Sequence, residues 1–380
     1  MIEHEFTDVI RSILARHFGD LSTELLDRSE LLQYINLKTR SASRGSKSRG
    51  SFANLYAIYV LVEDYTANGF DQSGTYAQYD GAKFTVLFRR QRELPFGERL
   101  QNHALNSRMN EEFRKYFPTS EFAPILRDLS TLRYWINERL LIVTTSQGDV
   151  NVCKAIIAVI DAYIESKKDA FGIFIEQCNH LLTLGQDDVG EVTKFLVQLL
   201  NPNVDARIFE IVSFAILKSF YAAQSVWFGW TRDEILEHAL ILFKTGRTNA
   251  NDGGIDFVMQ PVGRFFQVTE SLDMRKYFLD IDKVQRFPIT FVVKSAETVE
   301  QIRGRVAEYA KKVYTANAIV ARYMEAVEEV INIPQLTARL EEVAARGEVS
   351  AIVSEVALQA RVEFNFSDEG SDDDGGVEGD

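Results

Sequence analysis

Between residues 3 and 36 apolar side chains recur at helical spacing, Phe6, Ile10, Ile13 and Leu14 and then Leu21, Leu25, Leu31, Leu32 and Ile35, which predicts two helices. Residues 38–51 are polar, small and basic and read as a loop. Residues 55–62 (LYAIYVLV) and 83–89 (KFTVLFR) are dense in β-branched and aromatic side chains, with the turn signals Asn68-Gly69, Ser73-Gly74 and Asp80-Gly81 between them. They predict strands of a small sheet, and residues 140–144 (LLIVT) predict another strand. Ser146-Gln147-Gly148-Asp149 marks a candidate domain boundary.

Helical patterns dominate beyond it, over 150–166, 170–183, 188–200, 204–221 and 231–243, the fourth opening after the helix-start region Asn201-Pro202-Asn203. The pattern then switches to strands at 255–259 and 264–269, a helix at 272–284 and a strand at 289–294. From 298 to about 353 it is helical again, interrupted at Ile333-Pro334. No internal repeat is present.

Length and an apolar content of 46% allow a sizeable core and favour two domains over one. No apolar stretch approaches the roughly 20 residues that span a bilayer, and the N-terminus lacks the basic-then-apolar layout of a signal peptide, so the expectation is a cytoplasmic protein with no membrane partner. Cys153 and Cys178 fall in segments that read as amphipathic helices and are expected to be buried thiols. The five histidines (His4, His17, His103, His180, His238) have no metal-binding spacing. Net charge is −13, but the Gly- and Ser-rich tail 367–380 holds seven acidic residues and no basic one; without them the net charge is −6. Such a tail is expected to be disordered, and overall charge does not exclude DNA, because what matters is a local basic surface.

The stretch with chemistry is Asp252-Gly253-Gly254-Ile255-Asp256-Phe257-Val258-Met259, then Gln260-Pro261-Val262-Gly263 as a turn, then Phe265-Phe266-Gln267-Val268-Thr269-Glu270. Alternation along a strand puts Gln267 and Thr269 on one face and Phe266 and Val268 on the other, and sets Asp256 opposite Ile255 and Phe257. A carboxylate and two oxygen-bearing side chains thereby converge on one face of a hairpin, as a hard divalent cation requires. On its own, Asp-Gly-Gly is more often simply a turn.

Asp-Gly-Gly-Ile-Asp, a turn, then apolar-Gln-apolar resembles the Mrr-like branch of the PD-(D/E)xK nucleases, which include restriction endonucleases and DNA-repair enzymes. The preceding Ala206-Arg207-Ile208-Phe209-Glu210-Ile211-Val212 is similar to the helix of that fold whose glutamate approaches the metal. The resemblance covers about 90 residues and implies an α/β fold with an α-β-β-α-β core. It implies Mg²⁺ (or Mn²⁺) held by Asp256, Gln267 and Glu210, with these residues and Thr269 as the catalytic set. Thr269 stands where the family usually has lysine, and in this looks like the very-short-patch mismatch endonuclease variant. Lys244, Lys276 and Lys294 are the candidates to replace the missing cation.

For DNA contacts the candidates are the basic segment Lys38, Arg40, Arg44, Lys47 and Arg49, the Gln101, Asn102 and Arg108 group, and Lys244 and Arg247 before the Asp256 strand. A solvated linker and an ordinary polar surface are the other readings of the first two. Trp227, Phe228 and Trp230 belong to a core or an interface.

The expected organisation is an N-terminal α+β domain for DNA recognition (1–149), a nuclease domain (150–310), a helical extension (311–366) and the acidic tail (367–380). The expected function is a type II-like restriction endonuclease cleaving double-stranded DNA as a homodimer, with a cognate methyltransferase. Alternatives are a repair or mismatch nicking endonuclease, a DNA-binding protein with a decayed site, and a helical scaffold without DNA affinity.

Overall fold

A computed structural model of the chain describes residues 2–40, 48–72, 74–98, 100–183, 188–245, 255–270 and 272–364. The chain is mixed α/β and forms two compact units, residues 1–174 and 175–363. The tail expected to be disordered lies outside the described residues.

In the first unit come helices α1 (Glu5–Phe18), α2 (Ser22–Arg28), α3 (Glu30–Thr39) and α4 (Ser48–Ala67), strand β1 (Ala82–Lys83), and helices α5 (Phe84–Glu93) and α6 (Met109–Tyr116). They are followed by strands β2 (Ile125–Asp128), β3 (Arg133–Ile136), β4 (Ile142–Thr145) and β5 (Gly148–Asn151), and by helix α7 (Cys153–Thr183), inside which the two units divide.

Two expected strands here are helices. Residues 55–62 lie in α4 and are buried all round, from Leu55 and Tyr56 to Leu61 and Val62. A helix enclosed on every side shows no polar stripe, so its continuous apolar run has the same pattern as a buried strand. Residues 84–89 open α5, whose inward positions are Leu87 and Gln91. The sheet of this unit is made instead by β1, β3 and β2, in that order, with β4 and β5 as a separate hairpin. The segment read as a loop at 38–51 ends inside α4, and the helices expected at 150–166 and 170–183 are one, α7.

The second unit continues with helices α8 (Val189–Gln198) and α9 (Ala206–Ala222), then strands β6 (Ser225–Phe228), β7 (Leu236–Ala239), β8 (Ile241–Lys244), β9 (Phe257–Gln260) and β10 (Arg264–Thr269). Helix α10 (Met274–Lys283), strand β11 (Ile289–Val293), helices α11 (Val299–Val313) and α12 (Asn317–Ala326), strand β12 (Val327–Ile331) and helices α13 (Ile333–Ala345) and α14 (Val349–Phe364) complete it.

Among the described residues, five strands form one sheet in the order β12-β11-β10-β9-β8. The β8-β9 and β9-β10 pairs are antiparallel, while β10-β11 and β11-β12 are parallel. Helix α9 covers one face, with Phe214 against Phe257 and Tyr221 against Phe266, and α13 packs beside it. Helices α10, α11 and α12 bury Tyr277, Phe278, Ile302, Val306 and Tyr323 with Ile289, Phe291 and Val293 on the other.

The helix expected at 231–243 does not form. That segment holds good helix formers, Glu234, Leu236, Glu237 and Ala239, but it builds β7 and β8, because pairing of β8 with β9 outweighs local propensity. The same competition converts 327–331 (VEEVI), read as part of a helical extension, into β12, the edge strand beside β11. The expected α-β-β-α-β succession is therefore α9-β8-β9-β10-α10-β11, with one further strand.

Candidate active site at one end of the five-stranded sheet

Helix α9 starts where Asp205 caps it, its carboxylate accepting from the Arg207 N–H at 2.8 Å. Glu210 follows in the first turns. On the same face of the sheet Lys244, the last residue of β8, brings its Nζ to 3.0 Å from Glu210 Oε1. The pair is shielded, with side chains 15% and 27% exposed.

Asp256 precedes β9 by one residue and is locked against β10 on both sides of Gln267. Its N–H donates to the Phe266 carbonyl at 2.9 Å, and its Oδ2 accepts from the Val268 N–H at 2.6 Å. Its carbonyl accepts from the Thr245 N–H at 2.9 Å, tying it also to the end of β8. The hairpin register that permits this is set by the Pro261-Val262-Gly263 turn, in which Gly263 takes φ 69°, a conformation open to glycine, and donates to the Met259 carbonyl at 2.8 Å.

Gln267 and Thr269 alternate with Phe266 and Val268 along β10, as expected. The Gln267 Nε2 donates to the Val268 carbonyl at 3.3 Å, and its Oε1 is buried with no hydrogen-bond partner among the described residues. Thr269 is half-buried, and its carbonyl accepts from the Lys294 N–H at 2.9 Å.

The electrostatics follow from this packing. Burial, reinforced by the negative charge of Glu210, pushes the Asp256 carboxyl up to about 8, against the opposing effects of the Val268 N–H and of Lys244. Asp280 on α10 adds to the rise, and burial also holds its own carboxyl above the usual range. Asp280 was not among the residues singled out from sequence. Its signal was present, because it sits three residues after buried Tyr277 and next to buried Ile281, on the apolar side of an amphipathic helix.

Of the three candidate replacement lysines, Lys244 alone among them stands beside the carboxylates. The Lys294 ammonium is turned to the Val204 carbonyl and lies 6.0 Å from the centre of the Phe209 ring, its pKa lowered by burial. Lys276 is exposed on α10.

No family model, curated protein or solved structure matches this chain. Its own chemistry carries the functional reading.

Among the described residues, no three His, Cys, Asp or Glu side chains converge closely enough to hold a metal ion. The donor set nonetheless fits a hard cation in another way. A buried acceptor oxygen without a partner, Gln267 Oε1, lies directly across the hairpin from a buried carboxylate whose ionisation is opposed by two further carboxylates. A bound divalent cation would satisfy the first and favour the ionised form of the second.

The expected DNA contacts are placed less uniformly. Lys38 is turned inward and paired with Glu112, so its charge is already matched within the first unit. Arg40 is exposed after α3, Gln101 and Arg108 are exposed, and Asn102 is half-buried. Arg49 falls in the first turn of α4; Arg44, Lys47, Arg247 and the Asp252-Gly253-Gly254 part of the motif lie outside the described residues. Cys153 and Cys178 are buried thiols. No helix among the described residues is long and apolar enough to cross a membrane.

Proposed function

We propose that the second unit is a metal-dependent deoxyribonuclease of the PD-(D/E)xK type acting on double-stranded DNA, most simply as a type II-like restriction endonuclease with a cognate methyltransferase. The observation that carries this reading is Asp256, buried and held across the hairpin from the partnerless Gln267 Oε1, beside the Glu210–Lys244 pair. The succession of helix, strands, helix and strand around these residues supports it.

In this reading Asp256 and Gln267 hold Mg²⁺ or Mn²⁺, with Glu210 as a further carboxylate nearby. When bound, the cation lowers the pKa of a water and stabilises the charge that develops on phosphorus-bound oxygen. Asp256 accepts the cation only when ionised, so its raised pKa makes loading compete with a proton. Lys244 supplies positive charge to a region otherwise lined by carboxylates, which lets an anionic phosphodiester approach. Attack by water forms a new oxygen–phosphorus bond, the bond to one bridging oxygen breaks, and that oxygen leaves with a proton.

Thr269 in the place usual for lysine favours a second reading, a repair or mismatch nicking enzyme. Plasmid and phage DNA incubated with the full chain or with Asp256→Asn, in Mg²⁺, Mn²⁺ or EDTA, tests both. Discrete linear fragments that need the metal and Asp256 are the expected result, and nicked circles alone would favour the second reading. DNA binding without any cutting would overturn the enzyme in favour of a decayed site.

A further inference from the structure

Strands β6 and β7 form a hairpin that pairs only with itself among the described residues. Its surface is unusually apolar for an exposed element. Trp230 at the tip is 89% exposed, Trp227 68% and Leu236 62%, and every residue of β7 is exposed. Two four-residue strands alone make a marginally stable unit in water, and tryptophan is among the costliest side chains to leave hydrated.

The tip is nevertheless built to a definite shape. A Cβ on Gly229 would meet the Glu234 carbonyl oxygen at 2.5 Å, so the turn closes tightly onto its own backbone and presents Trp230 outward. Phe228 supports Trp230 with an edge-on ring contact at 5.7 Å.

At the base of the same hairpin lies a cavity of about 450 Å³. Ser225, Val226, Val262 and Phe287 line it, with Arg264 and Glu328 among its polar residues, their side chains 3.2 Å apart. An apolar wall with a cation and a carboxylate at hand suits an indole, whose face attracts a guanidinium and whose N–H donates to an acceptor.

We propose that this hairpin is the interface of a homodimer, in which Trp230 of each copy enters the cavity at the base of the other's hairpin. Base and tip are separated by about 13 Å, four residues at ~3.3 Å each. Two hairpins laid antiparallel about a twofold axis bring each tip to the partner's base, so a knob and a hole carried by one chain become self-complementary.

The area is adequate. At the 150–250 Å² that aromatic side chains bury, Trp227 and Trp230 offer roughly 300 Å², and Ile235, Leu236, Ile241 and Phe243, all exposed, extend the patch toward the ~800 Å² per partner of a standard interface. Charge disfavours a nucleic-acid occupant, because between residues 225 and 239 Asp233, Glu234 and Glu237 outnumber Arg232.

Sedimentation velocity of the full chain across the micromolar range tests the proposal, beside Trp230→Ser at the knob and Val262→Glu at the hole. Both positions are exposed, so near-ultraviolet circular dichroism and melting temperature should stay close to those of the parent chain. The expected result is a dimer for the parent chain, weakened about 30-fold or more in each variant, as for loss of a central aromatic anchor. A chain that remains monomeric throughout overturns the proposal, as does a dimer that both variants leave unchanged. Asp256→Asn should dimerise like the parent, so the interface stands or falls separately from the nuclease reading.

Discussion

Lys244 Nζ lies 3.0 Å from Glu210 Oε1, joining the last residue of an edge strand to the helix that covers the sheet. That pair meets the hairpin at Asp256, whose ionisation Glu210 opposes and Lys244 favours. Metal loading, charge balance and folding stability are thus linked through three side chains.

The pH dependence of stability follows from Asp256. Its carboxyl is raised in the folded chain from 3.8 to about 8, so between those values the native state holds a proton that the unfolded state has lost. Stability contributed by this group is complete at low pH and is lost as pH rises toward about 8. In EDTA, the melting temperature of the parent chain should fall relative to Asp256→Asn between about pH 4 and about pH 8. At the upper end Mn²⁺ should raise it for the parent and not for the variant. Parallel curves for the two proteins would contradict the assignment.

Lys244→Met should lower kcat for DNA cleavage about 100-fold, the scale of losing one preorganised charge at the reacting phosphate, with a smaller change in KM. Thr269→Lys in that background places an ammonium at the position usual for the family and should recover at least tenfold. Single-turnover rates report both. A Lys244→Met enzyme as fast as the parent would remove Lys244 from the site.

Gln267→Leu separates stability from function. Replacing a buried acceptor that has no partner by an apolar side chain of similar volume should be neutral or stabilising by about 1 kcal/mol. The same change removes the neutral donor to the cation, so metal-induced stabilisation and cleavage should both fall. Denaturant unfolding in EDTA and in Mn²⁺ decides it, and a loss of stability in EDTA would mean that Oε1 is satisfied in the folded chain.

The legible parts of the second unit are those where side-chain period and backbone requirements agree. Strand β10 was expected at 264–269 and runs over Arg264–Thr269, and α9, α10 and β11 lie within a residue or two of expectation. Each combines a clean period with a local punctuator: Asp205 and Asp273 cap their helices, and Gly263 takes the positive φ of the turn. The candidate site was legible for the same reason, since Asp256 and Gln267 are placed by one hairpin.

Elsewhere, the amino-acid pattern was ambiguous between two structures. Residues 55–62 are uniformly apolar, which suits a strand between two layers or a helix surrounded by others, and only the number of enclosing elements distinguishes them. Residues 236–244 and 327–331 carry helix-forming side chains, yet their backbones complete the ladders of β9 and β11.

By itself, the sequence determined the alternation that puts Gln267 and Thr269 on one side of a strand, the turn that returns it past Asp256, and the capped helix bearing Glu210, because each depends on neighbours a few residues away. Tertiary structure decided which lysine stands beside those carboxylates, that Asp280 approaches them, that Lys38 is spent on Glu112, and that Trp227 and Trp230 face solvent. These depend on which distant segments share a sheet edge or a helix face, and burial, which shifts the charge of Asp256, exists only once those segments have packed.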